Sequence, residues 1–147
     1  MDRYKILEHL VAAKRAHITW VNRAKSMIDG PAIVRGVMPL KCTECQFGLW
    51  FYKEGERFFN EFEMHADSRV ENLHNNLHEE YLKIYNIYFD TTENLAFDKS
   101  AKMQKKVITQ EEKEIVTIYF NKLRSLSYEM IAEIQRLENY ISTKQSA

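Results

Sequence analysis

Thr109-Gln110-Glu111-Glu112 opens the stretch whose reading decides the fold. A threonine followed three residues later by glutamate is a capping box. Each side chain satisfies a backbone N–H that the first helical turn leaves orphaned. Behind it Val116, Tyr119, Phe120, Leu123, Met130, Ile134, Leu137 and Ile141 recur at helical spacing. The stripe lasts roughly thirty residues, so the helix would span roughly 50 Å at 1.5 Å per residue. Other elements of comparable length must cover it.

The rest of the chain supplies them. Over residues 4–28 a second stripe runs through Leu7, Leu10, Val11, Ile18, Val21, Ala24 and Ile28, with Asp2 as candidate N-cap and Gly30-Pro31 as a stop. Residues 31–42, with Pro31, Gly36 and Pro39, read as a loop. Thr43-Glu44-Cys45-Gln46 fits another capping box. It opens a short helix through Trp50 and Tyr52 that ends near Gly55, in a region crowded with Phe47, Phe51, Phe58, Phe59 and Phe62. The next long helix starts near Phe58 or Ser68 and runs to Tyr88 on Val70, Leu73, Leu77, Tyr81 and Ile84. Residues 91–108 lose the periodicity and carry Lys99, Lys102, Lys105 and Lys106, the composition of a solvated connection. The expected fold is all-α: an antiparallel four-helix bundle with an additional short helix carrying the Cys motif, one domain over residues 1–147.

Composition agrees and excludes several classes. The chain has 147 residues, 45% hydrophobic and 29% charged, which suits one globular core rather than disorder. Four glycines and two prolines are too few for a barrel or sandwich. The 21 basic and 21 acidic residues cancel, leaving no electrostatic footprint for nucleic acid or an anionic membrane. No apolar run reaches the ~18 residues of a membrane span. Charges at Asp2, Arg3, Lys5 and Glu8 break any signal-peptide segment. Only two cysteines, Cys42 and Cys45, occur, three positions apart. That points to a reducing cytoplasm and to a metal or redox role rather than a disulfide framework.

The chemistry-bearing residues are few. His74 and His78 stand four apart, one turn along the same helical face, where two imidazoles can converge on one metal ion. Asn75 follows His74, so this is not the HExxH pattern of zinc proteases. His17 continues the buried stripe of the first helix, where an imidazole needs a hydrogen bond or a metal. Cys45 lies in the first turn of its short helix, where the helix dipole stabilises the thiolate. His9 and His65 read as ordinary surface residues. Three imidazole nitrogens and one sulfur make a tetrahedral set suited to Zn²⁺, and four protein ligands leave no place for an activated water.

Together these motifs resemble one family. Cys45-Gln46-Phe47-Gly48-Leu49-Trp50-Phe51-Tyr52 is similar to the Cys-x-Leu/Phe-Gly-x-Trp-Tyr/Phe signature of the CZB family, the chemoreceptor zinc-binding domains of bacteria. His17-Ile18-Thr19-Trp20 is similar to its His-x-x-Trp element, and His74 to His78 to its element of two histidines four apart. The resemblance covers about residues 3–142 and implies zinc held by His17, Cys45, His74 and His78 inside a helical bundle. Trp20 and Trp50 would then pack around the site, and at Gly48 the missing side chain would let the short helix press against a neighbouring helix near the metal. A competing set replaces His17 with Cys42, using the Cys-x-x-Cys spacing; the resemblance leaves Cys42 outside, as a possible resolving thiol for an oxidised Cys45.

The resemblance further implies a cytoplasmic sensory domain without catalysis, reading zinc availability or an oxidant such as hypochlorous acid through the Cys45–zinc bond. Its output would be a chemotaxis or diguanylate cyclase signalling partner. The competing classes are a metalloenzyme with an open coordination position and a helical adaptor with no metal. A homodimer is expected, because Phe120, Leu126, Tyr128, Ile131 and Tyr140 do not fit one narrow stripe and a second apolar strip calls for a partner helix.

Overall fold

The computed structural model describes residues 3–30, 33–35, 45–89, 102–104 and 106–143. In chain order they form α1 (Arg3–Asp29), β1 (Ile33–Arg35), α2 (Gln46–Trp50), a π-helical turn (Phe51–Gly55), α3 (Glu56–Phe62), α4 (Ala66–Tyr88), β2 (Lys102–Gln104) and α5 (Gln110–Thr143). The backbone stays right-handed helical at both joints of the π-turn. Residues 46–62 are therefore one interrupted helix, and the described residues build four helices. The Cys-motif helix is not an addition to a bundle of four: it is the fourth member. It runs past Gly55, where a stop is expected from the sequence, because Gly55 adopts φ −73° and ψ −31° and propagates the helix.

Local chemistry sets most boundaries. The Gly30 N–H donates to the Ser26 carbonyl at 2.7 Å and closes α1. At the start of α5 the Thr109 N–H donates to Glu112 Oε1 at 3.0 Å, and the Glu112 N–H to Thr109 Oγ1 at 3.1 Å, which is the capping box. The second expected box differs. Thr43 lies outside the described residues, as do Asp2 and Cys42. Cys45 itself is the N-cap of α2, its Sγ accepting the Gly48 N–H at 3.2 Å. The two stretches read as connections also contain structure. β1 and β2 pair antiparallel, with Val34 opposite Met103.

The apolar interior has two parts. One gathers Ile6, Leu10 and Ala13 of α1, Ala66 and Val70 of α4, and Met130, Ile134, Leu137 and Ile141 of α5, together with Phe47, Trp50, Phe51 and Phe59. The other gathers Trp20, Ala24 and Met27 of α1, Leu77, Tyr81 and Ile84 of α4, and Val116, Leu123 and Leu126 of α5. The first halves of α1 and α4 thus share a core with the second half of α5. Their second halves share one with its first half. At the surface, Lys14 of α1 pairs with Glu138 of α5 at 2.9 Å.

Two stripes are redrawn by the packing. The buried face of α1 is Ile6, Leu10, Ala13, His17, Trp20, Ala24 and Met27. Val11 and Ile18, assigned to that face by periodicity, are 38% and 48% exposed, and Tyr4 lies out with them. On α5 the opposite holds. Leu126 is buried, and Phe120 and Tyr140 pack against the two cores, so within the suspected second strip only Tyr128 is fully outside. Among the described residues no helix is long and apolar enough to cross a membrane.

Two described glycines leave no room for a side chain: at Gly30 a Cβ would stand against the Ser26 carbonyl oxygen, and the other is Gly55. A Cβ on Gly55 would stand 2.6–2.9 Å from three atoms of the buried Trp50 ring. Gly55→Ala should therefore cost about 1–3 kcal/mol through overpacking. Thermal melts should show a Tm several degrees below wild type; an unchanged Tm would mean that the indole yields freely.

Candidate metal centre

Between the two apolar cores lies a layer of polar side chains. His17 comes from α1, His74 and His78 from α4, and Cys45 from the N-cap of α2. His17 is 2% exposed, His74 0% and His78 4%, and Cys45 is a buried free cysteine. Each long helix delivers its residue by simple periodicity. His17 follows Leu10 and Ala13 on the buried face of α1, and His74 and His78 follow Val70 on that of α4.

The ligand atoms of Cys45, His74 and His78 all lie within 4.8 Å of one another. Cys45 Sγ is 3.2 Å from His74 Nε2, and His78 Nε2 is 3.1 Å from the same nitrogen. Around a tetrahedral zinc, bond lengths of about 2.05 Å to nitrogen and 2.3 Å to sulfur set these separations at about 3.6 Å for S···N and 3.3 Å for N···N. The observed cluster is tighter by a few tenths of an ångström. A thiol and two imidazoles with their Nε2 atoms converging is the donor set that such an ion needs.

His17 stands beside this group. Its ring centroid is 5.4 Å from that of His74, edge to face, and 5.5 Å from that of Phe47. Its Nδ1 lies 2.6 Å from the Ala13 carbonyl. A carbonyl only accepts, so Nδ1 carries the proton and Nε2 keeps its lone pair. That is the tautomer of an imidazole that binds metal through Nε2. Phe47 also lies 5.0 Å from His74, so one ring walls both histidines. Trp20 covers His78 at 4.2 Å. Trp50 sits one ring further out, 6.0 Å from Phe47. His9, read from the sequence as a plain surface residue, stacks on Trp50 at 4.9 Å. His65 adopts φ 67° at the N-cap of α4 and takes no part in the site.

Electrostatics favour the neutral ligand forms. Burial pushes His17 below the ordinary histidine value, against the opposing effect of its bond to Ala13. Burial, then the neighbouring His78 and His17, push His74 down to about 2. The Nδ1 of His74 is buried without a hydrogen-bond partner, a cost of about 1–3 kcal/mol. Within the layer, Cys45 Sγ and His78 Nε2 lie at hydrogen-bond distance from His74 Nε2, and His17 Nδ1 is bonded to Ala13, so His74 Nδ1 is the one buried polar atom of these four side chains without a partner. At Cys45, the Gly48 N–H already points at Sγ and favours the thiolate.

Comparison with known families bears on the same residues. Residues 17–85 match the CZB family model, the chemoreceptor zinc-binding domain. That span begins at His17 and includes Cys45, His74 and His78. No curated protein and no solved structure matches the chain.

The depressed histidines make the metal-free protein acid-sensitive. Below about pH 6.5 the unfolded chain takes up protons on His17 and His74 that the folded chain refuses. Stability is thus full above pH 6.5 and falls as pH drops, with the His74 contribution lost progressively towards about 2. Each group removes about 1.4 kcal/mol per pH unit in that window. Melting the metal-free protein at pH 7.5, 6 and 5 should give a descending Tm, less steep in His74→Leu. A flat profile would contradict the neutral layer.

Proposed function

We propose, from the place of residues 17–85 in the chemoreceptor zinc-binding family, that this protein is a zinc-binding sensory domain without catalysis of its own. The observation that carries the reading is the convergence of Cys45 Sγ, His74 Nε2 and His78 Nε2 in a buried layer. His17 completes the set as fourth ligand through its free Nε2, closing a shell of three nitrogens and one sulfur. A closed shell leaves no coordination position for water, which argues against the metalloenzyme. The adaptor reading fails to account for three buried imidazoles and a thiol gathered with an unsatisfied His74 Nδ1.

The bound ion would supply a tie between helices. His17 belongs to α1, His74 and His78 to α4, and Cys45 to the helix of residues 46–62, in what we read as an antiparallel bundle. Zinc availability would be read as occupancy of the site. An oxidant such as hypochlorous acid would be read at the Cys45 sulfur, the one ligand open to oxidation. Loss of the ion would untie all three helices, and oxidation of the sulfur would free the Cys45 helix from the other two. The signal would pass to a chemotaxis or diguanylate cyclase partner in the cytoplasm.

Elemental analysis should find one Zn²⁺ per chain. Cys45→Ala and His17→Ala should weaken binding strongly, and Cys42→Ala should leave it intact. A strong chelator should lower Tm, because the ion binds the native chain and not the unfolded one. The reverse pattern, with Cys42→Ala emptying the site and His17→Ala leaving it filled, would install the two-cysteine site instead.

We also propose that the protein is a homodimer. The support for it is now α1 rather than α5: Tyr4, Val11 and Ile18 are exposed at seven-residue intervals along one flank. Seven-residue apolar spacing suits a partner helix. Light scattering at micromolar concentration should give twice the chain mass, reduced to one in Val11→Glu, Ile18→Glu. Monomer mass for the wild type, with and without zinc, would refute it.

A further inference from the structure

We propose that the helix of residues 46–62 is written in two registers, and that Cys45, held beside His74 and His78, selects the one containing the π-turn. The inference deepens the zinc reading, on which it rests for what retains Cys45; the two registers themselves rest on packing alone.

The π-turn closes where the Glu56 N–H donates to the Phe51 carbonyl, five residues back. A regular α-helix turns about 100° per residue. Phe47 and Phe59, twelve apart, would then point about 120° away from each other, and Trp50 and Phe59, nine apart, to opposite faces. Yet all three side chains lie in one buried cluster. The Phe51 and Phe59 rings are 5.7 Å apart, and those of Trp50 and Phe59 6.5 Å. The π-turn absorbs one residue without its rotation, which reduces the two angles to about 20° and 80°. That is how Phe47 meets His74 while Phe59 fills the core on the same side of the helix. The absent Cβ of Gly55 makes room for Trp50 in this arrangement.

The sequence also writes the other arrangement. Without the π-turn, Phe47, Phe51, Phe58 and Phe62 fall within about 60° of one another. They form an apolar stripe as good as the one used. Phe58 and Phe62 now sit half-buried at the edge of the core that Phe59 fills. Beyond Phe62 the chain is anchored by Ala66 and Val70, both fully buried in the same core, and Glu63 adds surface pairs with Arg69 at 3.0 Å and with Arg136 of α5 at 2.9 Å. Changing register therefore swings α2 about 100° relative to that anchor and carries Cys45 and Phe47 away from His74. Retention of Cys45 selects the π register, and its release makes the α register available. The helix is then a two-state element biased by one ligand bond.

The test compares Phe59→Leu with Phe58→Leu in the full chain, leucine being chosen so that each variant folds. With Cys45 present, Phe59→Leu should lower Tm more. In a Cys45→Ala background the difference should close or reverse. Deleting the exposed Lys53 removes the extra residue and leaves a regular helix with Phe47, Phe51 and Phe59 on one face. In that chain Phe59→Leu should remain the costlier change with or without Cys45. A difference unaffected by Cys45→Ala in the undeleted chain overturns the proposal, as does failure of the Lys53-deleted chain to fold. Co²⁺ loading separates the two levels. A thiolate-to-cobalt charge-transfer band that vanishes in Cys45→Ala is required by the zinc reading. Its absence from the wild type sinks that reading alone, since the phenylalanine comparison needs no metal.

Discussion

The structure depends on a polar layer in the middle of an otherwise apolar interior. His17, His74, His78 and Cys45 separate one core, at the start of α1, from another, at its end. Replacing such a layer with aliphatic residues would join the two cores and raise hydrophobic stabilisation by a few kcal/mol. The chain instead buries three imidazoles, two of them held well below their ordinary pKa, and leaves the Nδ1 of His74 unsatisfied. The ligand atoms of Cys45, His74 and His78 face one small volume, and under the zinc reading a single ion there would offset much of the cost of burying them. Stability and ligand chemistry are therefore concentrated in one place.

That concentration explains which features were legible in the sequence. The three long helices follow from apolar periodicity and, for α5, from the cap at Thr109, both of which depend only on nearby residues. The histidine and cysteine motifs follow from residue type and order, and the chain brings Cys45, His74 and His78 together across two elements. Three things were not legible. Val11 and Ile18 continue a heptad on α1 that periodicity cannot separate from the neighbouring core stripe of Leu10 and His17, since the two lie side by side on the helix. The pairing of Val34 with Met103 joins residues far apart in sequence, and no local signal carries such a register. Continuation of the Cys helix through Gly55 depends on a tertiary contact, the Trp50 ring in the space of the missing Cβ. Glycine there reads as a stop when only neighbours in sequence are considered.

The same comparison shows why sequence pattern alone misjudges residues 46–62. Phe47, Phe51, Phe58 and Phe62 make the regular stripe, yet Phe59, which lies off it, is buried as fully as Phe51, while Phe58 and Phe62 are only half-buried. A periodicity argument assumes one rotation per residue throughout, and the π-turn at Phe51–Gly55 breaks that assumption one turn after Cys45 and Phe47. Departures of this kind concentrate at functional sites because a regular helix is the cheaper solution wherever nothing else constrains it.

The four residues of the polar layer are not equivalent supports. His17, His74 and His78 project from helices of 27 and 23 residues whose flanking turns are packed in both cores. Loss of any contact there leaves several turns still holding the backbone. Cys45 sits at the first residue of an interrupted helix, capped by its own sulfur through the Gly48 N–H. The same atom thus holds the end of its helix and faces His74, so a change at sulfur removes a cap and a cross-link together. Opening free energies are lowest where few packed turns back a segment. An arrangement that assigns nitrogen ligands to the rigid helices and the oxidisable ligand to the weakest one directs any disturbance of the site into residues 46–62. The rest of the bundle, packed through α1, α4 and α5, would stay in place as the frame against which such a movement could be read.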